Sequence, residues 1–332
     1  MNKKIILINE SGLNEVFTEA FIKEGYEVVS ILRDPFVYKK NLWTKLMNIY
    51  YRVVLKNTNF HGENYYKQIN KEIFRRLQKI KIQTDYALIF RADCYSKKNI
   101  QLIRKKSKVL ISYQYDGWEL GKGIIKHKDY LDRVFFFEKE DMIKYGEKAF
   151  PLTNCYFPEF NQNNSTIDFD VYYLGTGTKT RLDNIVNLHN FLQDKCIFKS
   201  IIRIPHYQKE RNDNGMILTH KGLNYFENID LLMKSKCLVD IKFDYHNGLS
   251  FRFFEALFYN KKIITNNESV KSYDFYNSDN IYITDFKNFE GLEQFLNKPY
   301  KEINKKIVDK YSFKNWSRYV LDIPDYQEID LP

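Results

Sequence analysis

The sequence predicts an α/β protein with two domains, each built around a parallel β-sheet. Short apolar runs alternate with segments of helical periodicity along most of the chain. The alternation is interrupted around residues 158–165, where Asn, Gln, Pro and Glu predominate, as is typical of a linker. The chain has 332 residues, which is enough for two hydrophobic cores.

The composition excludes several classes of protein. Hydrophobic residues make up 44% of the chain, so it is not a disordered protein. The net charge of +10 favours an anionic partner, but basic and acidic residues are interleaved and no nucleic-acid-binding motif is present. We therefore expect no nucleic acid partner. The widely spaced cysteines and the lack of a long apolar run predict a cytoplasmic protein without a zinc site, disulfide framework or membrane span.

The first half begins with a strand, a helix and a second strand, at Lys4–Ile8, Leu13–Lys23 and Glu27–Leu32. The first loop carries a single glycine, which disfavours a nicotinamide or flavin enzyme. Residues 40–81 are expected to form two helices. They either cover the sheet or present a basic, aromatic surface to an anionic inner-membrane face. Further strands are expected at residues 85–90, 108–113, 133–137 and 151–156.

The second half repeats the alternation. A strand at Asp170–Leu174 leads into a Gly-Thr-Gly-Thr loop and a helix at Thr180–Leu192. We predict an N-terminal domain at 1–160, a C-terminal domain at 161–310, and a C-terminal helix and tail at 311–332 that pack toward the N-terminal domain. Ligands of open α/β sheets bind at the carboxyl ends of the strands. Further strands are expected at residues 197–204, 215–219, 237–241, 262–265 and 281–284.

A helix that begins near Ser250 carries the most informative motif of the chain. Ser250 is expected to cap it, with Arg252 in its first turn and Glu255 three residues further on. Free backbone N–H groups and a cation at a helix start suit a diphosphate, and a carboxylate one turn deeper suits a sugar hydroxyl. The alternative is a surface Arg–Glu pair on an amphipathic helix.

The chain also resembles bacterial GT-B glycosyltransferases that build capsule or lipopolysaccharide sugars. This resemblance implies two Rossmann-like, doubly wound domains that face a cleft. It places a nucleotide-sugar donor in the second domain and an oligosaccharide or lipid-linked saccharide acceptor in the first. Gly248 departs from many retaining relatives, which carry a carboxylate there, so retention of configuration does not follow. The resemblance rests on the segments Tyr113–Gly117, Pro151–Asn154, Gly248–Glu255 and Tyr273–Ile281.

The donor site is expected to combine a glycine–threonine loop with the helix at Ser250. Glycines let backbone N–H groups approach a diphosphate, threonines add hydroxyls, and arginines neutralise its charge. Because the protein supplies the cations, we expect no metal and no cofactor other than the nucleotide-sugar co-substrate. An ordinary strand–helix turn is the alternative interpretation of the loop. The expected donor-binding residues are Gly175, Thr176, Gly177, Thr178, Arg181, His246, Gly248, Leu249, Ser250, Arg252 and Glu255.

The catalytic base is expected among carboxylates that follow strands of the first domain. Asp116 is favoured, since a partly dehydrated carboxylate there would have a raised pKa suited to proton abstraction. The alternative is that Asp116 is only a turn residue before Gly117. Asp93 and Glu10 are the other candidates.

Two functions compete with glycosyl transfer: a nucleotide-sugar epimerase on the same two-domain fold, and a non-catalytic protein that binds a sugar nucleotide or polysaccharide.

Overall fold

A computed structural model describes residues 3–34, 36–39, 41–56, 59–160, 166–205, 207, 210–243 and 248–332. The contacts divide the chain into two compact units. The first unit comprises Met1–Phe136 and Glu140–Phe150, and the second comprises Phe137–Lys139 and Pro151–Pro332. Each unit contains one β-sheet, so the chain has the two-sheet α/β class that the sequence predicts.

The first unit contains a six-stranded sheet. Its strands are β1 (Lys4–Ile8), β2 (Glu27–Ser30), β3 (Thr84–Phe90), β4 (Ser107–Gln114), β5 (Arg133–Phe136) and β6 (Ala149–Pro151). The spatial order is β2-β1-β3-β4-β5-β6, and β1 to β5 run parallel to their neighbours. The connections therefore leave β1 in opposite directions, which makes the β1–β3 pair the topological switch point of this sheet.

Helices cover this sheet because their apolar residues repeat at helical spacing. In α3, Ile69, Ile73 and Leu77 are fully buried and pack in one core with Ile6 and Ile89 of the strands. The helices of the first unit are α1 (Asn14–Lys23), α2 (Leu42–Val53), α3 (Phe60–Lys79), α4 (Lys97–Lys106), α5 (Trp118–Gly121) and α6 (Lys139–Tyr145), of which α2 buries no residue.

The second unit contains a seven-stranded sheet. Its strands are β7 (Phe169–Thr176), β8 (Phe198–Arg203), β9 (Arg211–Asp213), β10 (Met216–Thr219), β11 (Ser235–Asp240), β12 (Lys262–Thr265) and β13 (Ile281–Ile283). The order is β13-β12-β11-β7-β8-β10-β9, with only β9 antiparallel among the strand pairs that the structure describes. Apart from β9, this is the Rossmann strand order, whose switch point lies between β7 and β11.

Helices α7 to α12 belong to the second unit. Ser312 caps the last helix by accepting a hydrogen bond from the Asn315 N–H at 3.2 Å. Trp316 of that helix is fully buried and donates its indole N–H to the Thr153 carbonyl at 3.0 Å. The helices are α7 (Lys179–Leu192), α8 (Tyr225–Met233), α9 (Phe251–Phe258), α10 (Leu292–Asn297), α11 (Lys305–Lys310) and α12 (Phe313–Leu321).

Residues 151–160 are assigned to the second unit. The Tyr156 N–H donates to the Tyr311 carbonyl at 3.1 Å, and the Phe313 N–H donates to the Tyr156 carbonyl at 2.8 Å. The contact division thus groups residues 151–160 and residues 311–332 in one unit. The expected linker centre, residues 161–165, lies outside the described residues.

Three local expectations differ from the structure. β7 continues through Thr176 instead of ending at Leu174, because Gly175 and Thr176 pair with Ile202 and Arg203 of β8. The expected strand at 151–156 is absent from the sheets, since only its first residue lies in a strand. β9, which was not expected, pairs with β10 as a short antiparallel edge. Among the described residues, no helix is long and apolar enough to cross a bilayer.

Candidate functional site

The candidate site of the second unit lies where β7 and β11 end side by side. These two strands pair in parallel, with Leu238 opposite Tyr172. Their carboxyl ends, at Thr176 and Asp240, therefore lie at the same edge of the sheet, at the switch point. Helix α7 begins after β7, and α9 begins ten residues after the end of β11, so both can contribute residues to this edge.

Arg252 connects the ends of the two strands. Its Nη1 forms an ion pair with the Asp240 Oδ1 of β11 at 3.0 Å. Its Nη2 donates to the Leu174 carbonyl of β7. The guanidinium carbon also lies 5.7 Å from the ring centroid of Tyr173. The side chain keeps 20% of its surface exposed, so this cation is held rigidly while still reaching solvent.

Ser250 binds a carboxylate instead of capping its helix. The residue stands at the N-cap position of α9, but its side chain makes no cap hydrogen bond. The expected cap is therefore wrong. The Ser250 hydroxyl donates to the Asp240 Oδ1 at 2.6 Å, beside Arg252. Asp240 is buried and anchors both residues, and the sequence analysis missed it. Its position, directly after an apolar strand, was the signal that could have found it.

The Gly-Thr-Gly-Thr segment is shaped mainly by packing. A Cβ on Gly175 would lie 2.3 Å from the Tyr173 hydroxyl oxygen, and one on Gly177 would lie 2.9 Å from a methyl of Ile202. The Gly177 N–H donates to the Arg203 carbonyl at 2.8 Å. The Gly177 N–H therefore already has a partner, and binding of a diphosphate by this segment stays a prediction.

The start of α7 has exposed threonines and an arginine, as expected for a donor-binding segment. The Thr178 hydroxyl caps the helix by accepting from the Arg181 N–H at 3.4 Å, while Thr176 and Thr178 are exposed. The Arg181 Nη2 donates to the Ile241 carbonyl at 2.6 Å, and its guanidinium stacks 3.6 Å from the ring centroid of Phe243. Arg181 thus reaches from α7 to the end of β11.

Arg181 and Arg252 converge on Tyr173. Burial raises the pKa of the Tyr173 hydroxyl, and the positive charges of Arg181 and Arg252 oppose that rise. Among the described residues, this buried hydroxyl has no hydrogen-bond partner. The two arginines that the sequence selected therefore meet at one place, although 71 positions separate them in the chain.

The loop before α9 is fixed by two amides. The Asn154 Nδ2 donates to the Leu249 carbonyl at 2.8 Å, and the Asn267 Nδ2 donates to the Gly248 carbonyl at 3.3 Å. A Cβ on Gly248 would lie 1.8 Å from Phe137, so only glycine fits there. His246, expected near the donor phosphates, lies outside the described residues.

Glu255 has surroundings quite different from those of Arg252. The residue is 3% exposed and its carboxyl hydrogen-bonds with Tyr225 of α8. Burial raises the pKa of this carboxyl to about 7, while the charge of Arg252 and the bond to Tyr225 oppose the rise. Binding of donor ribose by Glu255 stays a prediction, and it would require the carboxyl to become accessible.

In the first unit, Arg91 holds two of the three candidate bases. Arg91 follows β3 in the left-handed backbone conformation, with φ of 54°. Its guanidinium binds the Asp93 carboxylate through two hydrogen bonds of 2.8 Å and also pairs with Asp116. Asp116 is thus paired with a cation, as is Asp93.

Glu10 has the character that was expected of Asp116. It follows β1, at the switch point of the first sheet, and is half-buried. Burial raises the pKa of its carboxyl, and a hydrogen bond with Tyr65 and the charge of Arg91 oppose the rise. Glu10 and Arg91 therefore lie close together at the ends of β1 and β3, where a ligand of a doubly wound sheet is expected.

His127 and the Asp168–Asp170 segment have surroundings that indicate a structural role and not a catalytic one. His127 is fully buried, contacts the Tyr95 carbonyl through Nε2 at 3.0 Å, and has a pKa lowered to about 4 by burial. An Asp-x-Asp sequence begins at Asp168, but Asp170 pairs with Lys236 at 2.7 Å at the amino end of β7. In the described part of the chain, no group of three or more His, Cys, Asp or Glu could hold a metal ion.

The two doubly wound, parallel-sheet domains define the chain as a protein of the GT-B fold. Solved structures with this fold match nearly the whole chain at low identity. Sucrose-phosphate synthase from Thermosynechococcus elongatus matches with a TM-score of 0.58 and 9% identity, covering 95% of this chain and 96% of its own.

Two further solved structures concern a uridine nucleotide. A UDP-forming trehalose-phosphate synthase from Burkholderia xenovorans has a TM-score of 0.56 and 8% identity, with 95% and 97% of the two chains covered. S. aureus MnaA in complex with UDP has a TM-score of 0.51 and 9% identity, with 99% and 100% covered. No family model and no curated protein matches the sequence. These likenesses establish the fold.

Proposed function

We propose that the chain is a glycosyltransferase that moves a sugar from a nucleotide-sugar donor to a growing surface polysaccharide or lipopolysaccharide acceptor. The observation that carries the proposal is Arg252, which spans the ends of β7 and β11 at the switch point of a Rossmann-type sheet. That position is where such sheets bind nucleotides. A cation fixed there suits a diphosphate, which gains negative charge as the sugar leaves.

The donor site would use cations from two elements. Arginine carries five N–H donors, so the bonds from Arg252 to Asp240 and Leu174 leave it further capacity for phosphate oxygens. Arg181 and the N-terminus of α7 lie at the same edge, and Arg181, like Arg252, is close enough to Tyr173 for its charge to act on the hydroxyl. These groups supply the positive charge that a metal ion would otherwise supply, which supports a metal-independent reaction.

The acceptor would be activated in the first unit, with Glu10 as the base. Its ionised carboxyl takes the proton of the acceptor hydroxyl, whose oxygen forms a bond to the anomeric carbon of the sugar. The bond between that carbon and the phosphate oxygen breaks, and the nucleoside diphosphate leaves with the electron pair. Glu10 is preferred to Asp116 and Asp93 because both of these are partners of Arg91.

The proposal also specifies the nucleotide of the donor and the location of the protein in the cell. The names of two fold neighbours include UDP, which makes UDP-sugars the first donors to test. We propose a cytoplasmic protein that associates peripherally with the anionic inner-membrane face, where a lipid-linked acceptor would be presented. The net charge of +10 supports this association.

The test is a thermal-shift screen with UDP-, GDP-, CMP- and dTDP-sugars, because a ligand that binds the native state raises its melting temperature. We expect one nucleotide class to stabilise the wild type and not Arg252→Ala. Arg211→Ala, which removes an exposed arginine of the same unit, is the matched control. If no nucleotide sugar stabilises the wild type, the proposed donor is wrong.

Product analysis separates transfer from the two competing functions. A transferase releases nucleoside diphosphate in step with glycosylated acceptor. Altered or free sugar without an acceptor would indicate an epimerase, and a stabilising nucleotide without turnover would indicate a binding protein. Either result would contradict glycosyl transfer.

A further inference from the structure

Helix α2 of the first unit has its apolar residues on the outside. Six apolar side chains follow i, i+1, i+4, i+7, i+8 and i+11 spacing, which places them on one stripe of the helix. All of them are exposed, with Leu42 at 73%, Leu46 at 57% and Val53 at 70%. We call this stripe the outer face of α2. It consists of Leu42, Trp43, Leu46, Ile49, Tyr50 and Val53.

The opposite face of α2 is the one that packs on the protein. Thr44, Asn48 and Tyr51 are half-buried, and the ring of Tyr51 lies 4.5 Å from that of Phe60 at the start of α3. No residue of α2 is fully buried. A helix that serves only to cover a core buries its apolar stripe and exposes its polar one. α2 instead leaves its apolar stripe exposed, so its outer face is built to meet something outside this unit.

The charge around α2 has one sign. Between residues 35 and 62 the sequence contains five basic residues and no acidic residue. Lys45 and Arg52 are exposed and flank the outer face, and Lys56 follows the helix end. Long basic side chains at the border of an apolar stripe suit the headgroups of anionic lipids, while the stripe itself suits the acyl boundary.

We propose that the outer face of α2 lies in the surface of an anionic lipid bilayer and anchors the chain there. Two copies of α2 packed face to face would bring Lys45 and Arg52 together without acidic partners, which disfavours self-association. The neighbouring helix α3 does not share this character, because it carries Glu63 and Glu72 and buries its apolar stripe. This inference deepens the membrane part of the proposed function and rests on it, whereas donor binding is tested separately.

Flotation of the purified full-length chain with lipid vesicles tests the proposal. We expect binding to vesicles of equal parts phosphatidylcholine and phosphatidylglycerol, weaker binding to pure phosphatidylcholine, and a loss of the difference at high salt. The double variant Leu46→Ser/Val53→Ser should bind at least about ten-fold more weakly. The matched control is Ile143→Ser/Ile197→Ser, which removes side chains that are 76% and 63% exposed elsewhere and should bind like the wild type.

Fluorescence locates the contact. Of the three tryptophans, Trp43 is 62% exposed, Trp118 is half-buried against the core of the first unit, and Trp316 is fully buried. Anionic vesicles should shift the tryptophan emission of the wild type to shorter wavelength, and Trp43→Phe should abolish the shift while keeping most of the binding.

Several results would overturn the proposal. They are equal binding to neutral and anionic vesicles, no binding at all, equal loss in the control variant, or an unchanged Trp43 emission on binding. If the wild type forms a dimer and does not bind vesicles, and if Leu46→Ser/Val53→Ser is a monomer, then the outer face of α2 is an interface between two copies of the chain instead. The double variant should keep the wild-type melting temperature and donor-induced shift, so failure of the lipid contact is distinguishable from failure of donor binding.

Discussion

Arg252 and Asp240 form an ion pair of 3.0 Å at the switch point of the second sheet, and Ser250 donates to the same carboxylate oxygen. The pair fixes the first turn of α9 against the end of β11, ten residues earlier in the chain. Since Arg252 also bonds to Leu174 of β7, one side chain bridges the ends of both strands. Arg252 therefore has a structural role in addition to the proposed phosphate contact, and experiments must separate the two.

Arg252→Ala should reduce both stability and transfer. Asp240 would keep only Ser250 as a charge-stabilising partner, which we expect to cost about 1–3 kcal/mol of unfolding free energy. Transition-state stabilisation should fall by a further 2–4 kcal/mol, on the order expected for a lost contact to a developing charge. Denaturant unfolding and steady-state kinetics measure the two effects.

Two further variants separate the loss of stability from the loss of turnover. Arg252→Lys should restore stability more than turnover, because a point charge can pair with Asp240 but cannot reproduce the planar fork. In Arg252→Ala/Asp240→Asn the unpaired carboxylate is gone, so stability should recover partly while turnover stays low. Wild-type turnover in Arg252→Ala would remove the donor-site assignment.

Glu255→Gln should raise stability at alkaline pH. The pKa of Glu255 is about 7 in the folded chain, above its ordinary value of 4.5, so the neutral form is the stable one. Its favourable contribution is fully present below pH 4.5 and is lost as the pH rises through about 7. The variant should therefore be more stable than the wild type at pH 8, by up to about 3 kcal/mol, and similar to it near pH 5. Thermal melts of both proteins across this range provide the measurement; a constant difference would show that Glu255 does not titrate as described.

Glu10→Gln should abolish transfer while donor binding persists. Removal of a general base costs roughly 100-fold or more in turnover. Because burial raises the pKa of Glu10, kcat/KM of the wild type should increase with pH through a value above the ordinary glutamate range and then level off. Asp93→Asn is the comparison, and it should keep that pH profile. If Glu10→Gln retains turnover and Asp116→Asn loses it, the base is Asp116.

Gly248→Ala should destabilise the second unit. The added Cβ would lie 1.8 Å from Phe137, so the ring must move, at a cost of about 1–3 kcal/mol. Gly62→Ala is the matched control, because a Cβ on this α3 residue meets nothing within 4 Å. That variant should gain roughly 0.5–1 kcal/mol from helix propensity. Equal melting temperatures of the two variants would contradict the described packing at Gly248.

The fold class could be predicted because its signals are local. Ile5 to Ile8 form a continuous apolar run and are fully buried in β1, as a two-sided parallel strand requires. The side chains of Ser96 and Ser312 cap α4 and α12, and a cap of this kind needs only the three residues that follow it. The expectation of two parallel-sheet domains is confirmed.

The site was less predictable because its partners are distant in sequence. The cap at Ser250 fails because Asp240 competes for the hydroxyl, and nothing near Ser250 shows that. The buried state of Glu255 depends on Tyr225, thirty residues earlier. Likewise, Gly177 is explained by the side chain of Ile202, and the pairing of Asp116 by Arg91. Residue type pointed to the edge where β7 and β11 end, and tertiary contacts decide what each side chain does there.

The backbone bonds of Tyr156 to Tyr311 and Phe313 bear on how the chain can be divided for study. A fragment that starts at residue 161 would lose this hydrogen-bonded pairing and leave the buried indole of Trp316 without the Thr153 carbonyl. Protease cleavage between residues 160 and 166 would leave both new ends on the second unit. A nicked chain should accordingly migrate as one folded protein until denaturant separates the fragments.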